Sequence, residues 1–112
     1  MHLRLSPDRG AIRASRDDLC YVTVEAVDVA GNLVPNANMR VQFAVNGPAR
    51  VAGVCNGDPL DTDSFQASNR RLYGGRALVI LQPLPSATPN GVVRLEAIAP
   101  GLESAATAIA LQ

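Results

Sequence analysis

The chain has 112 residues, 47% of them hydrophobic, which suits a single globular domain with one core and leaves no room for a second. Ten basic and ten acidic residues cancel to a formal net charge of zero, removing the broad basic surface that nucleic acid or anionic lipid would require. No run approaches the roughly 18 apolar residues of a membrane span, and the N-terminal residues lack a signal-peptide core, so a soluble chain without nucleic-acid or membrane partners is expected.

Met1-His2-Leu3-Arg4 leads directly into a strand-like segment that ends in the turn sequence SPDRG at 6–10. From Cys20 the pattern has period two: Cys20, Val22, Val24 and Ala26 alternate with Tyr21, Thr23 and Glu25, as in a half-buried antiparallel strand. The turn sequences DVAGN (28–32) and VPNAN (34–38) follow, and then Val41, Phe43 and Val45 alternate with Arg40, Gln42 and Ala44 up to NGP at 46–48. The stretch 56–75 shows neither a convincing strand nor a helix. Arg76 to Gln82 is almost continuously apolar, which predicts a central strand. After TPNG (88–91), Val93, Leu95 and Ala97 alternate with Arg94 and Glu96, and APG (99–101) precedes a last strand, AATAIAL. About seven short strands, punctuated by eight Pro and nine Gly, predict an all-β, immunoglobulin-like antiparallel β-sandwich occupying residues 1–112 as one domain. There is no Trp and no Cys in the 76–82 strand, so the sandwich lacks the buried tryptophan and paired cysteines of antibody domains.

The same residues argue against catalysis. Hydrolysis by paired carboxyl groups needs two of them about 5 Å apart, one kept protonated by its surroundings. The three glutamates are Glu25 and Glu96, on outward strand positions, and Glu103, in a turn. His2, the only histidine, sits at a terminus and offers no positioned base for a nucleophile. Asp58, Asp61 and Asp63 raise a calcium site, but the glycine and glutamate of an EF-hand loop are missing at their positions, and Asn56-Gly57-Asp58-Pro59 reads first as a turn with a local Asx bond. Cys20 and Cys55 are too few for a zinc site and are expected to be reduced thiols, Cys20 lying on the apolar phase of its strand. No catalytic, metal or cofactor residue is assigned. Arg70 and Arg71, flanked by Leu72 and Tyr73, form either a basic-aromatic patch or a solvated or locally paired feature. Tyr21, Phe43, Phe65 and Tyr73, with no Trp, equip the chain poorly for stacking on sugar rings.

The ordered set DLCYVTVEAVD, DVAGNLVP, VQFAVNGPARVAGV, NGDP and RRLYGGRALVILQ resembles the bacterial Ig-like module near the C-terminus of many glycoside hydrolase family 2 β-galactosidases, over nearly the whole chain. The resemblance implies a non-catalytic accessory domain. Its partners would be the other domains of a bacterial parent enzyme, for which a periplasmic or secreted setting is open, and a separate (β/α)₈ barrel would supply the catalytic glutamates. Cys55 stands where that family's loop is expected to carry Asp or Gly, so no role is transferred to it. The alternative is an independent carbohydrate- or partner-binding module. Because Leu60, Phe65, Leu72 and Tyr73 make the 56–75 stretch apolar enough to pack, it is the candidate interaction loop, with Asn56, Asp58, Phe65, Arg71 and Tyr73 as its residues.

Overall fold

The computed structural model describes residues 2–15, 18–55, 69–84 and 91–112. Nine strands follow in order: β1 (His2–Pro7), β2 (Ala11–Ile12), β3 (Cys20–Val27), β4 (Arg40–Asn46), β5 (Ala49–Cys55), β6 (Asn69–Arg71), β7 (Arg76–Pro83), β8 (Val92–Ile98) and β9 (Ala105–Leu111). They form two sheets, one of order β1-β3-β7-β5 and one of order β2-β9-β8-β4-β6. Every pairing is antiparallel except β2 with β9.

The alternation in the sequence sets the phase of each strand, because successive Cβ atoms point to opposite faces of a sheet. Cys20, Val22, Val24 and Ala26 of β3 are fully buried, and Ala77, Val79 and Leu81 of β7 point the same way. The facing sheet contributes Val41 and Phe43 from β4, Val93, Leu95 and Ala97 from β8, and Ile109 and Leu111 from β9. Strand β7 carries apolar residues on both faces: outward-facing Leu78 and Ile80 lie beside Thr23 and Tyr21 on one side and Cys55 and Gly53 on the other. Both remain half-buried.

The architecture is the expected sandwich with nine strands rather than about seven. The additions are β2 and β6, two and three residues long, too short to display a period. The chain leaves the first sheet at Pro7 and enters the second at Ala11; Asp8 N–H donates to the Tyr21 carbonyl before the crossing, and Ala110 N–H donates to the Gly10 carbonyl after it. Strand β5 carries an irregularity between Val51 and Gly53.

The turn chemistry is local and specific. Asp28 Oδ1 accepts from the backbone N–H of Ala30 (2.9 Å) and of Asn32 (3.0 Å), the Asx arrangement that fixes DVAGN. Two donors to the carboxylate, that of Asn32 foremost, hold Asp28 below the usual aspartate range. Between β4 and β5, Gly47 has φ +117° and lies so close to β8 that a Cβ would meet the Val92 carbonyl oxygen at 2.6 Å, so only glycine fits.

Candidate interaction surface

Of the five residues expected to form an interaction loop, Asn56, Asp58 and Phe65 lie outside the described residues, as do Asp61 and Asp63 of the calcium reading. Arg71 and Tyr73 are described, and their setting corrects the view of 56–75 as strandless. Residues 69–71 form β6 against β4, with Asn69 opposite Gln42, Arg70 opposite Val41 and Arg71 opposite Arg40. Since Val41 points into the core, Arg70 points inward and Arg71 outward.

Arg70 is 4% exposed and donates from Nη2 to the Val54 carbonyl on the opposite sheet, 2.9 Å away. It is therefore neither a solvated arginine nor part of a surface patch: its stem fills the side of the sandwich between β6 and β5, and its head joins the sheets there. Alternation continues past β6, with Leu72 buried and Tyr73 exposed at 51%. Tyr73 and Arg76 then exchange backbone hydrogen bonds across Gly74 and Gly75. Gly75, at φ +80°, donates to the Ala37 carbonyl, and a Cβ there would stand 2.3 Å from the Val34 carbonyl oxygen. This close approach locks the β6–β7 turn onto the 28–39 connection. Arg71 Nη1 reaches the Asn38 carbonyl at 3.5 Å, and Arg40 Nη1 donates to Asn69 Oδ1 at 2.7 Å.

Beside these arginines, on the outer face of the second sheet, Arg40, Gln42, Ile98, Ala99 and Pro100 line an open groove of about 350 Å³. A second hollow, of about 340 Å³, lies at the other end of the sandwich between Arg9, Arg13, Ser15 and Asp18. Arg9 donates to Asp18 there at 2.6 Å, and the Arg13 backbone N–H donates to the second Asp18 oxygen at 2.7 Å. Both bonds lower the Asp18 pKa, that from Arg9 the more strongly.

The ionisable groups are tuned toward structure. Glu25, on the outer face of the first sheet, is held by Arg4 at 3.0 Å and by Arg76 at 3.2 Å. The Arg4 hydrogen bond first, and then that of Arg76, depress its pKa, the opposite of what a general acid needs. Cys20 is fully buried, its Sγ 3.4 Å from Asp8 Oδ1. Burial, reinforced by the Asp8 carboxylate, pushes this thiol up to about 11, which keeps it protonated and unreactive at neutral pH. Cys20 and Cys55 are both free thiols, as expected. Among the described residues, no three His, Cys, Asp or Glu side chains gather closely enough to hold a metal ion. The exposed tyrosines do not form a stacking platform, since Tyr21 lies opposite Ile80 and Tyr73 beside Arg76, four residues apart along β7.

Comparison with known proteins gives this scaffold its context. The family model described as glycoside hydrolase family 2 C-terminal domain 5 matches residues 3–108. The chain is 38% identical over 110 residues to β-galactosidase BoGH2A of Bacteroides ovatus, an alignment covering 98% of this chain and 13% of that protein. A solved glycosyl hydrolase family 2 member from Bacteroides cellulosilyticus contains the same fold with TM-score 0.92 and 32% identity, over 99% of this chain and 14% of that one. A solved family 2 β-glucuronidase matches with TM-score 0.81 and 25% identity, over 99% and 11%. The chain thus spans roughly one-eighth of the length of relatives that are themselves whole glycosidases, and its own described residues bring together no catalytic constellation. It belongs to the glycoside hydrolase family 2 C-terminal domain 5 family, as an accessory Ig-like β-sandwich of that enzyme class.

Proposed function

We propose that this domain packs against the neighbouring domains of a family 2 β-galactosidase, holding the enzyme's shape while other domains cleave the glycosidic bond. The observation that carries this reading is the coverage: 98% of the chain is matched by 13% of a β-galactosidase at 38% identity. The chemistry of the domain agrees with it, because Glu25 is held ionised between two arginines and the 112-residue chain cannot contain a barrel of about 250 residues. A parent β-glucuronidase is the second reading, favoured by the likeness to the solved family 2 β-glucuronidase.

Three measurements test the proposal. The 112-residue chain alone should not turn over 4-nitrophenyl β-galactoside, and activity that copurifies with the folded chain would overturn the accessory role. The full-length enzyme should hydrolyse the galactoside in preference to the 4-nitrophenyl glucuronide; the reverse preference would select the second reading. Retention of the isolated chain on a glycan array would instead support the carbohydrate-binding alternative.

A further inference from the structure

Exposed large apolar residues are not spread evenly over this sandwich. Five are prominent among the described residues: Tyr21, Val29, Tyr73, Val92 and Ile98. Three of them, Val29, Tyr73 and Ile98, belong to one end. Val29 lies in the turn after β3, Tyr73 in the turn before β7, and Ile98 closes β8. The pairings of Glu25 with Arg76, Arg40 with Arg71 and Gln42 with Ile98 place these strand termini at the same end. The elements that carry them are fixed to one another at this end. Gly75 interlocks the 72–75 turn with the 28–39 connection, Arg71 reaches Asn38, and Arg40 opens the groove that runs to Ile98 and Pro100.

The opposite end has a different character. The hollow there is lined by Arg9, Arg13, Ser15 and Asp18, with an Arg9–Asp18 ion pair. The two remaining apolar residues form no patch with each other, since Tyr21 is on the outer face of the first sheet and Val92 on that of the second. Val29 is 95% exposed, a cost that a solvated turn residue has no local reason to carry. Single exposed apolar residues are ordinary; three at one fixed end make that end the better candidate for an interaction site.

The geometry points to one occupant for this end, the domain that precedes this one in the same polypeptide; the inference rests on the proposed packing role and specifies where the packing occurs. In a family described as a C-terminal domain, a domain lies before this one in the polypeptide and is joined through β1. That strand enters at the same end, where His2 pairs with Val27, two residues before Val29. A preceding domain tethered there needs little linker to reach Val29, Tyr73 and Ile98, and tethering raises its effective concentration at the surface.

The test is single-cysteine labelling in the full-length enzyme, at Val29→Cys and Ile98→Cys on the proposed surface and at Val92→Cys on the far end. Maleimide uptake is followed peptide by peptide. Relative to position 92, positions 29 and 98 should label about 100-fold more slowly or less in the native enzyme, as expected when an interface must open first. All three should label alike in denaturant. Slow labelling at 92 with fast labelling at 29 and 98 would move the interface to the other end, overturning this inference but leaving the packing role intact. Fast labelling at all three would overturn both. Uniformly slow labelling would remove the restriction to one end. Protection at 29 and 98 that disappears when the enzyme is diluted to monomers would make a second copy the occupant, not the preceding domain.

Discussion

Replacing Arg70 with alanine should be among the more damaging single changes in this domain that leave the apolar core residues untouched. The guanidinium is buried, and its Nη2 donates to the Val54 carbonyl on the opposite sheet at 2.9 Å. A buried hydrogen bond from a charged donor contributes about 1.5–3 kcal/mol, and its loss also leaves the carbonyl to be desolvated alone. The methylene stem adds about 1 kcal/mol of apolar burial. Arg70→Ala should therefore cost about 2–4 kcal/mol out of a total that is about 5–15 kcal/mol for a domain of this kind. At about 4 °C per kcal/mol, the melting temperature should fall by roughly 8–16 °C. Arg70→Met separates the two contributions: it keeps the stem and removes the cost of burying a charge, so its loss should be about 1–2 kcal/mol. Urea denaturation of the 112-residue chain, followed by fluorescence or circular dichroism, gives both values. If Arg70→Ala has the wild-type midpoint, the side chain lies in solvent and the inter-sheet bond does not form.

Phe43 is 7% exposed on the inward phase of β4; Phe43→Ala should cost about 3–5 kcal/mol, and an unchanged denaturation midpoint would mean that the phase is reversed. Without reductant, alkylation under denaturing conditions should add two labels, at Cys20 and Cys55. Under native conditions at pH 8, Cys20 should stay unlabelled, because its buried thiol titrates at about 11; rapid native labelling of Cys20 would contradict that environment. The folded-state pKa of Glu25 lies below its ordinary value of 4.5 because Arg4 and Arg76 bond the carboxylate. Its ionised form therefore stabilises the fold fully above that value, and the contribution is lost as pH falls through the depressed folded pKa. Glu25→Gln should flatten the stability profile below about pH 5, and an acid limb as steep as that of the wild type would assign the acid sensitivity to other carboxylates.

How much of this was legible depended on strand length and on one-sided burial. In β3, β4 and β8 one face meets the core and the other meets solvent, so Val22, Val41 and Leu95 announce their strands and phase through simple alternation. Strand β7 was legible for a different reason: its outward Leu78 and Ile80 are half-buried among cross-strand side chains of β3 and β5, so its residues read as an almost continuous apolar run. Strands β2 and β6 were not legible because two or three residues hold no period. That gap concealed Arg70: two adjacent arginines look equivalent as letters, yet in any strand they must point to opposite faces. The available signal was Leu72, in phase with Arg70; had Asn69–Arg71 been read as a strand, a buried Leu72 would have placed Arg70 inside. The outward Arg71 and Tyr73 were legible as surface residues. The apolar end to which they belong was not, because Val29 and Ile98 come from distant parts of the chain and are brought to one end only by strand register.

The short β2 and β6 and the irregular β5 also determine how this domain can be recognised. A sheet edge with free N–H and C=O groups invites another strand to add to it. Here the second sheet ends in strands of two and three residues, short templates in themselves, with β2 covering only Ala110 and Leu111 of β9. In the first sheet, β5 breaks its register between Val51 and Gly53, and β1 departs after six residues to cross to the other sheet. Three of the four edge strands are therefore short or irregular, and β1 alone among them keeps an unbroken register over six residues, so backbone pairing has few places to start. Recognition therefore leans on side chains of a preformed surface more than on strand addition.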